Sequence, residues 1–505
     1  MRVAHGNGRS MMEAELKFLL DTTHVRAVQM ALRRAGSAKM RLESHYFDTA
    51  DHRLARAGLS LRLRKVGRRW EQTLKAPGTH PGERHEETVA RSRPTGADMP
   101  TIDHLLHSGT AAGAALKRLL DSGEPHDAEL LELHASHVTR QAAIIAVDGA
   151  RIEVALDQGE IRAGSASESV CEVEYELKSG APGALIGPAS AGVQAYAMRV
   201  STLSKAERGD RLSRAAGQQV AVKACPARIH RSMSAPAMLR AIVESCLEQV
   251  LANVSEMACG APSDEQIHQL RVGLRRLRTA ARELGALDPS MVVAWAPAVA
   301  DAFRTLGDYR DRTTVAGSLE RRLVAAGSPA ARLAGSLSAL PDPSVVIEAE
   351  PVQLALLELM AFLFDSPSGG VAGTRGARSV VDARLEKLHR QVLRGAKRFG
   401  EMDFPERHRL RKRLKRLRYL AELVEPLYAR HRVKAYLARL EPAQDALGRY
   451  VDLAVGRRLA REQVGRGDEK SWFDVGWLTA QEETQAIQCR RVLRAAALAN
   501  AFWNR

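Results

Sequence analysis

The stretch MEAELKFLL, residues 12–20, alternates charged and apolar side chains near the start of the chain. Glu13, Glu15 and Lys17 occupy every second position, and apolar side chains stand between them. Successive side chains of a β-strand point to opposite faces, so this period of two predicts a strand with one apolar face. Taken alone, the pattern is typical of an ordinary half-buried strand whose charged side chains face water.

Further segments of the first half repeat this alternation with both signs of charge. CEVEYELK, residues 171–178, places Glu172, Glu174 and Glu176 on one face, and LSLRLRK, residues 59–65, alternates arginines with leucines. Like charges on one strand face repel each other unless opposite charges face them. A closed antiparallel barrel with a polar lumen meets this condition. The strands therefore predict a lumen in which carboxylates lie beside guanidinium and ammonium groups.

The chemistry of such a lumen is that of a metal-bound phosphate compound. Carboxylate oxygens without cysteine or histidine are the ligands of a hard cation such as Mg2+ or Mn2+. Guanidinium and ammonium groups bind phosphate oxygens. The residue types of the first half therefore predict a site for a polyanionic phosphate and a divalent metal.

Composition narrows the class of partner. At 505 residues, the chain is expected to fold into roughly two to four domains. Its net charge of +16 indicates an anionic partner, which could be nucleic acid, a lipid surface or a phosphate polymer. Aromatic residues make up 4% of the chain, which argues against a single-strand reader built on stacking, and we expect no specific nucleic-acid partner. The five cysteines lack C-x-x-C spacing, which argues against a zinc site and a disulfide framework.

The hydrophobic pattern along the chain predicts its domain organisation. No stretch approaches the roughly 20 apolar residues of a membrane-spanning helix, and the opening residues carry no secretory apolar run, so we expect a cytoplasmic protein without membrane insertion. Short alternating runs give way to long helical patterns, which predicts an α+β fold. The expected parts are a disordered extension at 1–11, a β-rich domain at 12–215, a linker at 216–233 and an all-helical domain at 234–505.

Several motifs of the first half stand in a recognisable order. E-x-E-x-K at 13–17 is followed by YFDTADHRLARAGLSLRLRK at 46–65, QTLKAPG at 72–78, RHEE at 84–87, CEVEYELKSG at 171–180 and STLSKAERG at 201–209. Together they resemble the CYTH family, also called the triphosphate tunnel metalloenzymes, over about the first 215 residues. The resemblance implies an eight-stranded antiparallel β-barrel tunnel with flanking helices, which hydrolyses a triphosphate with Mg2+ or Mn2+.

The same resemblance implies roles for individual residues. The implied metal ligands are Glu13, Glu15, Glu172, Glu174, Glu176 and Asp157. The implied phosphate-binding residues are Lys17, Arg62, Arg64, Lys75, Arg84, Arg140, Lys178, Arg199 and Lys205. The family often has an aromatic residue after the glycine of this last motif, whereas Asp210 stands here, and we expect surface variation at that position.

The second half contains an internal duplication. IHQLRVGLRRLRTAAREL, residues 267–284, lines up with RHRLRKRLKRLRYLAEL, residues 407–423, and LGDYRD at 306–311 repeats as LGRYVD at 447–452. Leucines three and four apart predict one buried stripe on each helix. The basic residues stack along an adjacent side, where like charges repel, so a paired basic surface favours a polyanionic partner over a merely solvated face.

These two helices resemble the CHAD domain, an all-helical module of two related four-helix bundles, from about residue 234 to residue 505. The resemblance implies binding of inorganic polyphosphate. The residues expected to bind it are His268, Arg271, Arg275, Arg278, His408, Arg411, Lys412, Lys415, Arg416 and Arg418. The two copies are not equally basic, since Val272 stands where the second copy has Lys412. The two histidines could instead be core residues beside the leucine stripe.

A CYTH domain followed by a CHAD domain resembles the arrangement of bacterial inorganic triphosphatases. The sequence therefore predicts metal-dependent hydrolysis of inorganic triphosphate to pyrophosphate and phosphate, together with polyphosphate binding and a location in the cytoplasm or at polyphosphate granules. Inorganic triphosphate is favoured because the motifs supply no evident pocket for a base. Two alternatives stay open, a non-catalytic polyphosphate or granule-binding protein and a CYTH enzyme that acts on thiamine triphosphate or, as an adenylate cyclase, on ATP.

Overall fold

The computed structural model describes residues 14–77, 84–92, 99–121, 129–214, 221–333, 340–365 and 374–504, the side chains of residues 84 and 374–376 excepted. The expected extension at 1–11, Glu13 and part of the expected linker lie outside the described residues. The chain divides into two compact units, residues 1–220 with 254–260 and residues 221–253 with 261–505. The domain limits given above stay a prediction.

One antiparallel sheet forms the framework of the first unit. Its strands are β1 (Glu15–Leu19), β2 (Ala38–Asp48), β3 (Ser60–Val66), β4 (Arg69–Pro77), β5 (Arg84–Arg91), β6 (Leu131–Val147), β7 (Ala150–Ala163), β8 (Ala166–Ser179) and β9 (Arg199–Val200). They pair in the order β5-β4-β3-β2-β6-β7-β8-β1-β9. The expected antiparallel sheet is confirmed, and the described residues hold nine strands rather than eight because the two-residue β9 pairs beside β1.

The register of the sheet collects the charged side chains on one face. Glu15 lies opposite Glu176, and Lys17 lies opposite Glu174, across the β1–β8 pair. Leu16 and Phe18, the apolar residues on either side of Lys17, are buried on the other face. Since side chains alternate along a strand, the charges that alternate in the sequence share a surface of the folded sheet.

Five helices accompany the sheet. They are α1 (Val25–Arg34), α2 (Arg53–Arg56), α3 (Ala111–Leu120), α4 (Ile186–Tyr196) and α5 (Lys205–Ser213). Leu116 of α3 packs with Leu61 and Leu74 in one apolar cluster over β3 and β4. Burial of such side chains contributes roughly 1.5–3 kcal/mol each and covers the apolar face of the sheet.

The described part of the second unit is helical, as predicted. Its helices are α6 (Ala235–Ala258), whose last residues belong to the first unit, α7 (Asp264–Leu284), α8 (Ala296–Arg310), α9 (Ala316–Ala325), α10 (Pro343–Glu348), α11 (Glu350–Phe364), α12 (Thr374–Arg398), α13 (Phe404–Leu423), α14 (Arg430–Gly465) and α15 (Ser471–Ala496). Within the described ranges, no helix combines the length and apolar character needed to cross a bilayer.

The duplication extends to the way its two helices begin. Ser263 caps α7 in a capping box with Gln266, and Asp403 caps α13 in a capping box with Glu406. Each cap satisfies backbone N–H groups that the first helical turn leaves free. The two caps occupy equivalent positions of the repeat. Equivalent basic residues of α7 and α13 therefore lie at the same distance from the start of their helix and on the same side of it.

Candidate functional site

A charged cavity of about 460 Å³ opens on the polar face of the sheet. Strands β1–β6 and β8 and helix α5 all contribute lining residues. Its predicted site residues are Glu15, Lys17, Arg62, Arg64, Lys75, Arg140, Glu174, Glu176 and Lys205. The sheet therefore brings together, in one cavity, carboxylates and cations that are up to about 190 positions apart in the sequence.

Three carboxylates line the acidic side of this cavity. Glu15 and Glu176 lie directly opposite each other on β1 and β8, and Glu174 stands two residues before Glu176 on β8. Lys178 Nζ lies 2.7 Å from Glu176 Oε1. Among the described residues, Glu15 has no ion pair within 4 Å. Glu174, by contrast, pairs with Arg140 and, at 3.1 Å, with Lys205. The repulsion that a bound cation would relieve is therefore mainly that between Glu15 and Glu176.

Two other predicted metal ligands lie buried beneath the cavity and are already paired. Asp157 and Glu172 are fully buried. Lys205 Nζ donates to Asp157 Oδ2 at 2.7 Å and to Glu172, and Arg140 Nε donates to Asp157 Oδ1 at 2.7 Å. Arg208 Nη1 lies 3.3 Å from Glu172 Oε2. A buried charge is tolerated only with such partners, so these carboxylates act as counter-charges to the cations.

The pKa shifts follow from this network. Burial acts to raise the pKa of Asp157, but Lys205 and Arg140 outweigh it and hold the pKa below its ordinary value. Burial likewise opposes ionisation of Glu174, but Lys205, Lys17 and Arg140 hold its pKa well below the usual range. Burial disfavours the charged form of Lys205, and the carboxylates around it reverse the effect and raise its pKa. All of these groups are therefore charged near neutral pH.

The basic side of the cavity carries positive charge that its own carboxylates do not fully balance. Arg64 Nε donates to Ser44 Oγ at 3.0 Å. Burial, followed by repulsion from Arg62, lowers the pKa of Arg64 to about 10. Lys75 pairs with Glu86, whose carboxylate also lies 3.7 Å from Arg62. A phosphate group placed here would relieve the repulsion between the arginines.

The remaining predicted residues of the first unit lie elsewhere. Glu13 lies outside the described residues, and Arg84 belongs to β5 with an undescribed side chain. Lys178 and Arg199 are not among the residues that line the cavity. Lys178 instead pairs with Glu176 and, at 3.7 Å, with Glu153. Arg199 lies opposite Leu19 on the short strand β9.

The sequence analysis missed several side chains that line or support this cavity. The ring of Tyr46 stacks on that of His134 with centroids 4.6 Å apart. Burial acts to raise the pKa of Tyr46, but Arg62, Arg64 and Lys205 lower it overall. Tyr46 could have been predicted, because it begins the YFDT segment of the motif at residues 46–65. His134 carried no such signal, because its place depends on the pairing of β2 with β6.

Asp210 is not a site of surface variation. It lines the cavity, its Oδ1 lies 2.7 Å from His52 Nδ1, and its carboxylate pairs with Arg214 at 2.9 Å. Asp48 lies in the same acidic group, but its carboxylate accepts the backbone N–H groups of residues 49, 54 and 55 and so caps α2. Asp210 therefore contributes a hydrogen-bonded carboxylate to the cavity lining where the family often has an aromatic ring.

The second unit carries a larger basic cleft of about 1530 Å³, lined from α7, α8, α13 and α14. A neighbouring cavity of about 450 Å³ shares several of its residues. Each residue predicted for polyphosphate binding lines at least one of the two: the cleft holds Arg271, Arg275, Arg278, His408, Arg411, Lys412, Lys415 and Arg416, and the neighbouring cavity adds His268 and Arg418. Neither histidine is fully buried in the leucine core.

An aromatic ring organises the α7 side of the cleft. The guanidinium carbons of Arg271, Arg275 and Arg278 lie 4.4, 5.1 and 5.2 Å from the centroid of the Phe303 ring. Cation–π contact holds the three like charges on one surface despite their repulsion. The sequence analysis did not include Phe303, which precedes the repeated LGDYRD motif on α8.

The cationic groups of the cleft exceed the nearby carboxylates. Asp311 and Asp452, the last residues of the two repeated motifs, line the cleft, and burial raises the pKa of both. Burial, followed by repulsion from Arg275 and Arg411, lowers the pKa of Lys415 to about 6. Burial and nearby cations lower the pKa of His408 to about 4. The cleft is thus short of negative charge, which a polyanion would supply.

Family comparisons match both units. The CYTH domain family matches residues 11–209, and the CHAD domain family matches residues 241–461. The inorganic triphosphatase of Haemophilus influenzae is 31% identical over 139 residues. That match covers 28% of this chain and 36% of the relative, so it spans about a third of the relative's length.

Solved structures with similarity to each unit are also known. The CHAD domain from the plant Ricinus communis is 25% identical, with a TM-score of 0.45, over 56% of this chain and 99% of that chain. A Hippeastrum protein described as an adenylyl cyclase with a dominant triphosphatase activity is 21% identical, with a TM-score of 0.28, over 39% of this chain and 96% of that chain.

Proposed function

Because the chain carries a CYTH domain followed by a CHAD domain, we propose that its first unit hydrolyses inorganic triphosphate to pyrophosphate and phosphate, and that its second unit binds inorganic polyphosphate. The observation that supports triphosphate hydrolysis is the cavity in which Glu15, Glu174 and Glu176 face a set of arginines and lysines. Acidic groups for a hard cation and basic groups for phosphate oxygens are the two requirements of metal-assisted phosphoryl transfer.

The donor set of the cavity fits a divalent metal such as Mg2+ or Mn2+. We assign the ligands to Glu15, Glu174 and Glu176, because these carboxylates are neighbours on β1 and β8 and line the cavity. Glu174 also accepts hydrogen bonds from Lys205 Nζ and Arg140 Nη2. Asp157 and Glu172 are engaged by buried cations, and they are better described as positioning residues for Lys205 and Arg140. When bound at the three cavity carboxylates, a divalent ion would acidify the attacking water and offset phosphate charge.

The basic residues would bind and orient the substrate. Arg62, Arg64 and Lys75 approach the cavity from β3 and β4, opposite the acidic strands. Their positive charges would compensate the negative charge that grows on the phosphoryl oxygens and on the leaving pyrophosphate. Lys205 and Arg140 are held rigidly by their buried carboxylates, so little reorganisation would accompany the reaction.

The lining supports inorganic triphosphate over a nucleotide or thiamine triphosphate. The aromatic rings among the lining residues are those of Tyr46 and Phe47, and the ring of Tyr46 is stacked on His134. Phe47 is buried in an apolar cluster with Leu63 and Trp70. Binding of a base usually needs an exposed aromatic face, which this arrangement does not provide.

The test is a screen of phosphate release from triphosphate, pyrophosphate, polyphosphate, ATP and thiamine triphosphate, each with Mg2+, Mn2+ or a chelator. We expect the highest turnover with inorganic triphosphate and none with the chelator. Formation of cyclic AMP, or a preference for thiamine triphosphate, would replace this proposal by another CYTH activity. Polyphosphate binding without any hydrolysis would establish the non-catalytic alternative.

The basic cleft supports the second half of the proposal. Burial, followed by repulsion from Arg275 and Arg411, lowers the pKa of Lys415, and a flexible chain of phosphates would stabilise the positive charges of the cleft. We extend the proposal to a cytoplasmic location with recruitment to polyphosphate granules. Direct binding of long-chain polyphosphate, in competition with single-stranded DNA, tests the partner, and equal affinity for both would contradict it.

A further inference from the structure

A third basic cavity, of about 470 Å³, lies between α12 and α13. Its cationic lining residues are Arg282, Arg384, Lys387, Arg409, Lys412, Arg413 and Arg416. The carboxylate among its lining residues, that of Glu283, pairs with Arg416 at 3.2 Å. The cavity therefore holds a large excess of positive charge in a small volume.

Two helical stripes form the walls of this cavity. On α13 the stripe is Arg409, Lys412, Arg413 and Arg416, and on α12 it is Arg384, Lys387, Leu388 and Gln391. Both follow the spacing i, i+3, i+4, i+7, which places side chains on one side of a helix. Like charges so arranged destabilise a helix, by roughly 0.2–0.5 kcal/mol for each pair, unless something compensates them.

Carboxylates of the chain compensate only part of this charge. Arg409 lies 4.0 Å from Glu406, and Arg416 pairs with Glu283. Across the part of the chain that the structure describes, Arg384, Lys387, Lys412 and Arg413 have no ion pair within 4 Å. The unmatched cations of α12 and α13 face one another across the cavity.

The corresponding side of α7 differs from that of α13 in both charge and packing. Gln269, Val272 and Gly273 occupy the positions of Arg409, Lys412 and Arg413 in the repeat. At Gly273 a β-carbon would lie 2.9 Å from Val250 of α6, so the two helices approach closely there. The repeated helices thus share one basic side, and α13 carries a second basic side, lining a cavity, where α7 has Gln269, Val272 and Gly273.

The third cavity adjoins the main cleft. Arg282, Lys412 and Arg416 line both. A chain of phosphates in the main cleft can therefore pass along these three side chains toward α12 without leaving positive surface. Each phosphate of such a chain carries a negative charge, which suits a row of cations better than a single site.

We propose that the cavity between α12 and α13 is a second phosphate-chain subsite, occupied by the continuation of a polyphosphate whose first segment lies in the main cleft. This inference rests on the proposed polyphosphate binding of the second unit. It predicts that affinity depends on chain length, since only a chain longer than the main cleft reaches Arg384 and Lys387.

The test is the double variant R384Q/K387Q, measured against short-chain and long-chain polyphosphate of defined length. The matched control is R394Q/K397Q, which removes two exposed cations of α12 that line none of the cavities described above. Long-chain affinity should fall about 10-fold in the first variant and stay within about 2-fold in the control. A single-stranded polyanion releases about 0.7 counterion for each contact with a cation, and the variant loses two contacts. The slope of the logarithm of the binding constant against the logarithm of the salt concentration should therefore decrease by about 1.4 in magnitude.

Short-chain affinity should not change in either variant. Equal losses for short and long chains, or equal losses in the test variant and the control, would overturn the subsite. An equal loss of single-stranded DNA binding would overturn its assignment to a phosphate chain. If the wild-type protein binds no polyphosphate, the proposed function itself is refuted. If the wild type binds polyphosphate and R384Q/K387Q binds it equally well, the subsite alone is refuted. Circular dichroism melting of both variants establishes that each is folded.

Discussion

Lys205 Nζ donates a hydrogen bond to Asp157 Oδ2 at 2.7 Å, from the first turn of α5 to the middle of β7. Both groups are buried, and Arg140 and Glu172 complete the network around them. The network around this contact distinguishes the carboxylates of the first unit by their partners. Asp157 and Glu172 hold the cations beneath the cavity, Glu174 contacts the same cations and also lines the cavity, and Glu15 and Glu176 line it without contacting Lys205 or Arg140.

Substitution D157N should destabilise the first unit, because it removes one of the two carboxylates, Asp157 and Glu174, that both Lys205 and Arg140 contact. The expected loss is about 3 kcal/mol in the free energy of unfolding. Differential scanning calorimetry measures it. The control D148N lies at an exposed hairpin position with positive φ, which asparagine tolerates, and it should melt like the wild type. An unchanged transition in D157N would contradict the counter-charge role.

Substitution E15Q should abolish metal-dependent hydrolysis without this loss of stability. Glu15 faces the cavity opposite Glu176, so the amide removes a metal ligand but strands no buried cation. We expect turnover of triphosphate to fall by at least about 100-fold. Isothermal titration with Mn2+ should show weakened metal binding, while polyphosphate binding stays the same. The control E160Q alters a carboxylate of β7 that does not line the cavity, and normal turnover in E15Q would refute the ligand assignment.

Charge reversal in the main cleft should weaken polyphosphate binding and flatten its salt dependence. The variant R411E/K415E/R418E changes three cations that line the cleft or its neighbouring cavity. Affinity should fall by at least about 100-fold, because binding to a polyanion is driven by counterion release. Fluorescence anisotropy at several salt concentrations measures this change. The control R321E/K434E/R439E reverses three exposed cations outside these cavities, and an equal loss there would indicate non-specific attraction.

Polyphosphate affinity should decrease as pH rises above about 6. The pKa of Lys415 is lowered to about 6 by burial and by Arg275 and Arg411, with Arg310 adding to the repulsion and Asp452 opposing it. The amine is therefore mostly neutral in the free protein at pH 8, whereas a bound phosphate chain favours its ammonium form. Binding then takes up a proton, and one proton changes affinity by at most about tenfold per pH unit.

Affinity for long-chain polyphosphate at pH 6 and pH 8.5 measures this linkage. Long chains are used because their internal phosphates keep a constant charge over this range. The variant K415R keeps the positive charge at both pH values and should lose most of the dependence. A wild-type affinity that is constant between these pH values, or that rises, would contradict the linkage.

Substitution G209A should strain the contact between α5 and β6. A β-carbon at Gly209 would lie 2.0 Å from Cδ2 of His134, whose ring is itself stacked on Tyr46. The expected cost is about 1–3 kcal/mol, because overpacking forces neighbouring side chains out of position. Calorimetric melting of G209A, H134A and the double variant measures it. If the clash is the cause, adding G209A to H134A should cost much less than adding it to the wild type.

The sequence by itself determined on which face of its strand or helix each charged side chain lies. Alternation in MEAELKFLL places Glu15 and Lys17 on one face of a strand, and the repeated helices place Arg271 and Arg411 on equivalent faces, because both patterns depend only on the period of the backbone. The two fold classes and the basic faces of α7 and α13 follow from these periods. The order of the motifs along the chain supplied the family resemblance.

Tertiary structure alone decided which charged groups meet. Glu172, Glu174 and Glu176 are equivalent in the alternating pattern, yet Glu172 is buried against Lys205 and Arg208 while Glu174 and Glu176 face the cavity. Lys205 stands 48 positions from Asp157, and Arg384 lies outside the duplication that identified α13. A period fixes the face of an element on which a side chain lies, but the charge that it meets depends on which other element packs against that face.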